Sequence, residues 1–250
     1  MSLPDRIQDA ATILAEAHRA GTAIESLPAH LVGSAAEAYA VQERVVQLLD
    51  TDVVGWKAGF DADGQPMCAP IMARVSRHGG PELPVFGSAP CAIEVEIAYI
   101  LDADVPADAP VADAQTVVSQ IALGMELIQS RYRDRTAQPF LPMLADGLAN
   151  GGYYLAAPSR WADAPDLKAL HLTVMRDGET IWDKTVAHPQ VDPAVPLNAL
   201  LAAPPRHCGG LRKGQFVTTG TLNGAPTVPV PSSIAALTVI GPLTAKLVKR

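Results

Sequence analysis

The sequence predicts an α+β fold, because helical patterns occupy the first 50 residues and strand patterns dominate the rest. Its 250 residues, 48% of them hydrophobic, can bury a large globular core. Strands and helices do not alternate regularly, which argues against a parallel α/β sheet. Since neither an internal repeat nor an interdomain linker is visible, we expect residues 1–52 to form a helical segment that packs on one domain over residues 53–250.

Two helices are predicted at the start of the chain. Pro4 and Gly21 bracket the first, and Ser34 with Glu37 has the spacing of a capping box at the start of the second. Their expected role is to cover one side of the main domain. The next segment, VVGWKAGF at 53–60, alternates as a strand with a glycine-lined face that carries Lys57. The opposite, core-facing set is Val54, Trp56, Ala58 and Phe60.

The later elements are mostly strands. Residues 61–92 are rich in Gly and Pro and predict a long loop or short irregular strands. Asp113 is a plausible N-cap for a helix to about residue 120, followed by a strand through residues 125–127. The remaining predictions are a strand at 93–101, a short helix within 140–152 that ends at Gly151 and Gly152, a hairpin at 170–186 with its turn at Asp177-Gly178, a short helix at 195–204, and strands at 214–222 and 236–249.

Composition excludes several classes of function. The net charge of −7, without any block of Lys or Arg, argues against a nucleic-acid or anionic-membrane surface. Three widely spaced cysteines indicate neither a disulfide framework nor a zinc site. No run approaches the roughly 18 apolar residues of a membrane span, and the N-terminus does not resemble a signal peptide, so we expect a cytoplasmic protein. Sequence motifs of serine hydrolases, phosphate-binding loops, zinc proteases and dinucleotide-binding folds are missing.

The acids in IEVEIAYIL, at 93–101, are the first candidates for chemistry. On a strand, Glu94 and Glu96 point to one face, about 6.6 Å apart along the chain. Either this face meets water, or the carboxylates share a cation such as Mg²⁺ or Mn²⁺. Glu126 lies in the apolar stretch GMELIQSR, where an unpaired carboxylate is costly to bury. Lys57 is the other polar residue in an apolar strand. It could serve as a general base, contact a substrate carboxylate, or simply form an ion pair with one of these acids.

Segments spread over nearly the whole chain resemble the fumarylacetoacetate hydrolase superfamily, in its 2-keto-4-pentenoate hydratase and 4-oxalocrotonate decarboxylase branch. The matching segments, in order, are AYAVQERV (38–45), GWKAGF (55–60), IEVEIAYIL (93–101), MELIQSRY (125–132), LADGLANGG (144–152), AHPQ (187–190), LRKGQFVTTGTL (211–222) and IGPLTAKL (240–247).

This resemblance implies a mixed-sheet β-roll core with flanking helices, a catalytic domain over residues 53–250, and a homo-oligomer. It implies Mg²⁺ or Mn²⁺ held by Glu94, Glu96 and Glu126, with Lys57 as the active-site lysine and Thr221 in a segment that lines the substrate pocket. Such a metal chelates a small 2-oxo acid and acts as a Lewis acid that stabilises its enolate. The implied activity is that of a hydro-lyase, with decarboxylation or C–C hydrolysis as alternatives.

Three positions depart from the family pattern. An acid expected after the lysine strand is absent from MCAPIMAR at 67–74, and Gln129 and Gly147 replace an Asp and an Asn. The metal ligands are retained while their polar neighbours differ, which affects the reaction and substrate more than the metal site. A second hypothesis is therefore a non-catalytic, metal-stabilised member of the family.

Overall fold

The computed structural model describes residues 2–73, 76–78, 82–85 and 91–249. The helices are α1 (Leu3–Ala20), α2 (Ala35–Leu48), α3 (Phe140–Ala145) and α4 (Ala194–Ala202). The strands are β1 (Val53–Phe60), β2 (Pro66–Met72), β3 (Ser76–His78), β4 (Glu82–Val85), β5 (Cys91–Leu101), β6 (Val118–Ile128), β7 (Asn150–Leu155), β8 (Ser159–Arg160), β9 (Ala169–Arg176), β10 (Glu179–Ala187), β11 (Phe216–Thr221), β12 (Thr227–Val228), β13 (Ser232–Thr238) and β14 (Gly241–Lys249).

The strands form two mixed sheets. The larger has the order β2-β1-β11-β5-β6-β7-β3, with β12 added beside β5 and β8 beside β6. The smaller has the order β10-β9-β13-β14-β4. Parallel pairing of β1 with β11 and of β4 with β14 makes both sheets mixed. The predicted α+β class with a mixed-sheet roll and flanking helices is confirmed.

The main core lies between the two sheets. Ile93, Val95 and Ile97 of β5 are fully buried there, so the apolar face predicted for this strand is confirmed. The opposite face of the same strand therefore carries its acids. The residues that the smaller sheet and β1 add to this core include Leu170, Leu172, Val174, Ile234, Leu243, Leu247, Trp56 and Ala58.

Two residues of the predicted core-facing set of β1 lie outside the main core: Val54, and Phe60, which is half-buried at the end of the strand. Val54 was expected beside Trp56 in the main core, but it packs instead in a small cluster on the opposite face, with Phe216. The cause is a shift in the β1–β2 register between Val53 and Gly55, where β1 has one residue more than β2. This extra residue reverses the faces to which the side chains at the start of β1 point.

The predicted helix boundaries are partly right. Gly21 ends α1 with φ +66°, and the Ser34 hydroxyl accepts the amide of Glu37 at 3.2 Å. The full capping box at α2 is wrong, because the Glu37 carboxylate instead accepts the amide of Gly33 at 2.8 Å. The three helices α1, α2 and α3 pack together in a second apolar cluster. The division of the chain at residue 52 stays a prediction.

Two other predicted helix features are wrong, and the hairpin is right. Asp113 caps only a single 3-10 turn at residues 114–116, because β6 begins at Val118 and pairs with β5 along its length. The helix before Gly151 ends six residues earlier, at Ala145, and Gly151 lies inside β7. Asp177-Gly178 joins β9 to β10 as predicted, with both residues at positive φ. None of the helices formed by the described residues is long and apolar enough to cross a bilayer.

Candidate metal centre

The three predicted acids meet because of the pairing between β5 and β6. These strands are antiparallel, and their register sets Glu94 directly opposite Glu126 and Glu96 opposite Gly124. One carboxylate oxygen from each of the three glutamates lies within 4.8 Å of the others. Glu96 is 2% exposed and Glu126 is fully buried. The interpretation of this strand face as an ordinary solvent face is therefore wrong.

Lys57 reaches the acids from β1, which is separated from β5 by β11. In the register Lys57 lies opposite Thr218, and Thr218 lies opposite Ala98 on the glutamate face of β5. The Lys57 ammonium is 2.8 Å from Oε1 of Glu126 and donates to the carbonyl oxygen of Leu148 at 2.9 Å. The predicted pairing of this lysine with one of the acids is thus present.

Glu126 uses its two oxygens differently. Oε1 accepts from Lys57 and, at 2.9 Å, from the side-chain amide of Asn150. Oε2 is buried and has no hydrogen-bond partner among the described residues. A buried, unpaired carboxylate oxygen is costly unless a cation completes its environment. Three carboxylates and one ammonium leave a net charge of −2, so the donor set fits a divalent cation with a preference for oxygen ligands.

The crowding of acids raises their proton affinity. Burial, and then repulsion from Glu126, raises the pKa of Glu94 to about 7, against a partial opposing effect of Lys57. Burial and the two neighbouring carboxylates raise the pKa of Glu96 well above its ordinary value. Burial disfavours the Lys57 ammonium, but the surrounding carboxylates outweigh that effect and raise its pKa. Without a cation, the site therefore favours a charged lysine and partly protonated acids.

A buried ion pair supports the turn that contacts Lys57. Arg131 donates to the carboxylate of Asp146 and to the carbonyl oxygen of Asn150, and the Ser130 hydroxyl donates to the same carboxylate at 2.6 Å. The turn between these anchors contains Leu148, whose φ of +54° is unfavourable for a residue with a side chain. The ion pair holds this conformation and so presents the Leu148 carbonyl to the lysine.

The departures from the family pattern have structural counterparts. Ala69 of β2 lies opposite Lys57, so this strand places no carboxylate beside the lysine. Gly147 has φ +65°, a left-handed conformation that Gly adopts freely and that Asn tolerates better than most residues. Gln129 is buried at the edge of the site, and its backbone N–H donates to the carbonyl oxygen of Ala149 at 2.9 Å.

Thr221 lies opposite Glu96 in the pairing of β11 with β5. Its hydroxyl donates to the carbonyl oxygen of Gly224 at 2.6 Å and so stabilises the turn after β11. Its place in the lining of a substrate pocket and its role in substrate binding stay predictions.

Sequence reasoning missed three polar residues that contact the glutamates or their partners. Asn150 binds Glu126, Thr218 donates to Oε2 of Glu96, and the hydroxyl of Tyr153 donates to Thr218 at 3.0 Å. The available signal was a polar residue inside each buried strand, in NGGYYL and FVTTGT. Which side each residue faces depends on register and on the irregular pairing after Thr218, which the sequence alone does not give.

Comparison with known proteins finds similar chains. A 2-keto-4-pentenoate hydratase from Burkholderia vietnamiensis is 27% identical, over 94% of this chain and 95% of its own length. The 4-oxalocrotonate decarboxylase from Pseudomonas putida G7, complexed with magnesium and adipate, is 18% identical, with a TM-score of 0.78 over 99% of both chains. A fumarylpyruvate hydrolase from Pseudomonas aeruginosa, in complex with Mn²⁺ and pyruvate, is 17% identical, with a TM-score of 0.56 over 78% of this chain and 89% of its own.

The two structural relatives establish only the fold, because both are under 25% identical to this chain. The family is established by a separate match, because residues 47–247 fit the model of the fumarylacetoacetate (FAA) hydrolase C-terminal family. That match includes β1, β5 and β6, which carry all four charged residues of the site. The chain therefore belongs to the fumarylacetoacetate hydrolase family.

Proposed function

We propose that the chain is a divalent-metal-dependent enzyme that acts on a small 2-oxo acid, and most specifically a hydro-lyase of the 2-keto-4-pentenoate hydratase type. The observation that carries the proposal is the group of three glutamates within 4.8 Å, one of which has a buried oxygen without a described partner. The hydratase from Burkholderia, similar over nearly its full length, supports the specific activity.

Glu94, Glu96 and Glu126 would hold the metal, Mg²⁺ or Mn²⁺. Three carboxylates provide enough negative charge for one such ion while leaving coordination positions for a substrate. When bound, the ion supplies Lewis-acid polarisation of the keto and carboxylate oxygens of a 2-oxo acid.

Lys57 would move a proton or bind the substrate carboxylate. Its ammonium has three N–H donors, of which Glu126 and Leu148 accept two. The third donor is available to a substrate atom, and the 14% exposure of the side chain indicates that this end of the lysine can be reached. Burial of Glu96 and Glu126 limits competition from water. Thr221 would shape the pocket wall next to Glu96 through the turn that its hydroxyl stabilises.

Decarboxylation is the second candidate, and one observation favours it. Addition of water to a dienoate requires a base for the water, but the residue opposite Lys57 on β2 is Ala69. Loss of CO₂ requires no activated water, so it does not need a carboxylate at this position. C–C hydrolysis of an acylpyruvate needs activated water, as hydration does, so Ala69 at this position does not favour it. A non-catalytic metal-binding protein would have the same ligands and no turnover.

The test is an assay on protein freed of metal with EDTA and then reconstituted with Mg²⁺ or Mn²⁺. We expect metal-dependent loss of the ultraviolet absorbance of 2-hydroxypenta-2,4-dienoate. The variant Glu94→Gln should remove this activity, while Glu179→Gln, at a position 80% exposed in the β9–β10 hairpin, should leave it unchanged.

Other outcomes contradict the hydratase proposal in distinct ways. Trapped CO₂ from a 2-oxo diacid would assign the protein as a decarboxylase, and cleavage of an acylpyruvate would assign it as a hydrolase. Binding of metal without turnover of any of these compounds would indicate the non-catalytic member. The predicted homo-oligomer is tested separately, by light scattering during size-exclusion chromatography.

A further inference from the structure

A chain of two hydroxyl groups ends on one of the three glutamates. Thr218 of β11 donates to Oε2 of Glu96, and the hydroxyl of Tyr153 in β7 lies 3.0 Å from the Thr218 hydroxyl. All three residues are at most 2% exposed. Tyr153 is therefore linked to Glu96 through Thr218, although β6 lies between β7, which carries Tyr153, and β5, which carries Glu96.

For ionised Glu96, the number of hydrogens fixes the direction of this chain. A Thr hydroxyl carries one hydrogen, and an ionised carboxylate can only accept. When Glu96 is ionised, the Thr218 hydrogen is used on Glu96, and the Tyr153 hydroxyl must donate to Thr218. A phenol that donates into a carboxylate-bound hydroxyl strengthens that bond by polarising it.

The fold makes room for Tyr153 with a glycine. A Cβ placed on Gly124 would lie 1.9 Å from the Tyr153 hydroxyl oxygen and 2.5 Å from its ring carbon Cζ. Gly124 lies opposite Glu96, so the tyrosine crosses β6 at the position where β6 has no side chain. The ring also packs on Phe216 with centroids 4.7 Å apart, which holds it in this orientation.

The result is a carboxylate with one engaged oxygen. Oε2 of Glu96 accepts from Thr218, and Oε1 receives no hydrogen bond from the described residues. Glu126 shows the same division, with Oε1 bound by Lys57 and Asn150 and Oε2 unpartnered. One free oxygen from each of these two acids suits a small six-coordinate ion better than a larger ion that binds both oxygens of a carboxylate.

We propose that Tyr153 and Thr218 are positioning residues that fix Glu96 as a ligand with a single free oxygen before the metal binds. The proposal rests on the metal-binding role proposed for the three glutamates. Without the Thr218 hydroxyl, the carboxylate loses its orienting partner and must be ordered when the ion arrives. Loss of such an outer hydrogen bond typically weakens metal binding by about 10- to 100-fold.

The test measures binding of Mn²⁺ alone, by the electron paramagnetic resonance signal of the free ion, and requires no substrate. We expect Thr218→Val to weaken binding at least about tenfold and Thr218→Ser to restore affinity to near the wild-type value. Tyr153→Phe should weaken binding less than Thr218→Val, because it leaves the direct hydrogen bond to Glu96 in place.

The matched control is Thr219→Val, at the next residue of the same strand. The Thr219 hydroxyl is buried without a hydrogen-bond partner among the described residues, so its removal should leave Mn²⁺ affinity unchanged. Circular dichroism in EDTA checks that each variant is folded. If Thr218→Val does not fold, Thr218→Ser and Tyr153→Phe still decide: we expect near wild-type affinity for Thr218→Ser and weaker binding for Tyr153→Phe.

Two results would overturn the proposal, and they are distinguishable from failure of the proposed function. Equal Mn²⁺ affinity for Thr218→Val and the wild type would exclude the positioning role but leave the proposed metal centre intact. Equal weakening by Thr218→Val and Thr218→Ser would show that strand packing, not the hydroxyl, is responsible. Absence of Mn²⁺ binding to the wild type would instead refute the metal centre, and the positioning role with it.

Discussion

The variant Glu94→Gln should stabilise the metal-free protein at pH 8 while weakening its response to metal. Glu94 lies among two other acids, and its pKa is raised from 4.5 to about 7 by burial and by Glu126. Because a pKa difference of one corresponds to about 1.4 kcal/mol, the ionised carboxylate destabilises the fold at pH 8 by at most about 3 kcal/mol. Glu94 is only partly buried, so solvent screening reduces the expected gain in the free energy of unfolding to about 2 kcal/mol.

The expected change is measurable by thermal denaturation in EDTA. For a chain of this size, about 2 kcal/mol corresponds to an increase of about 4 to 8 °C in Tm. The folded pKa lies above the unfolded value, so the folded state binds this proton first as the pH falls. The destabilisation is therefore full above about pH 7 and is lost as the pH falls towards 4.5. The Tm difference between Glu94→Gln and the wild type should vanish over that interval.

Addition of Mn²⁺ should reverse the order of stability. A ligand that binds only the folded state adds about 2.7 kcal/mol at 100 times its Kd, so the wild type should gain Tm while Glu94→Gln gains little. Glu179→Gln should behave as the wild type in both conditions. The electrostatic reasoning is refuted if Glu94→Gln lowers Tm in EDTA at pH 8, or if its gain persists unchanged at pH 4.5.

Three further predictions concern packing, catalysis and pH. Gly124→Ala should lower the free energy of unfolding by about 1–3 kcal/mol in urea denaturation, because the new methyl group overlaps Tyr153; an equal loss in Gly59→Ala, where the nearest atom is 3.5 Å from the added carbon, would contradict this. Lys57→Met should abolish turnover yet keep or strengthen Mn²⁺ binding, since it removes a positive charge from Glu126; retained turnover would exclude the role proposed for the lysine. Burial lowers the pKa of His207 to about 4, so wild-type stability should fall as the pH drops from about 6.5 to 4, and a pH scan of His207→Gln with an equally steep fall would contradict this origin.

Much of the site could be predicted because its residues disturb an otherwise apolar pattern. Glu94 and Glu96 share a face by the period of a strand alone, and Glu126 stands out as an acid in a buried segment. That Glu126 lies directly opposite Glu94 depends on the β5–β6 register, which the sequence did not specify. Lys57 reaches the acids only because β11, from late in the chain, inserts between β1 and β5.

The local errors also have physical causes. The helix predicted after Asp113 has a good N-cap, but the β-branched residues that follow pair along β5, and this tertiary pairing outweighs the local signal. Gly151 was predicted to end a helix, but it lies in β7, and a side chain is excluded there because a Cβ would be 2.5 Å from Cβ of Gln129. Glycine thus marks a close approach of neighbouring strands here, whereas Gly147, at φ +65°, follows the C-cap of α3, Asp146.

The most direct test of the metal centre is the anomalous diffraction of Mn²⁺ in crystals soaked with Mn²⁺ and pyruvate. We predict one strong anomalous peak within coordination distance of Glu94, Glu96 and Glu126, with the pyruvate oxygens on its open side. A peak elsewhere, or no peak at saturating Mn²⁺, would contradict the assignment of these three carboxylates as the metal site.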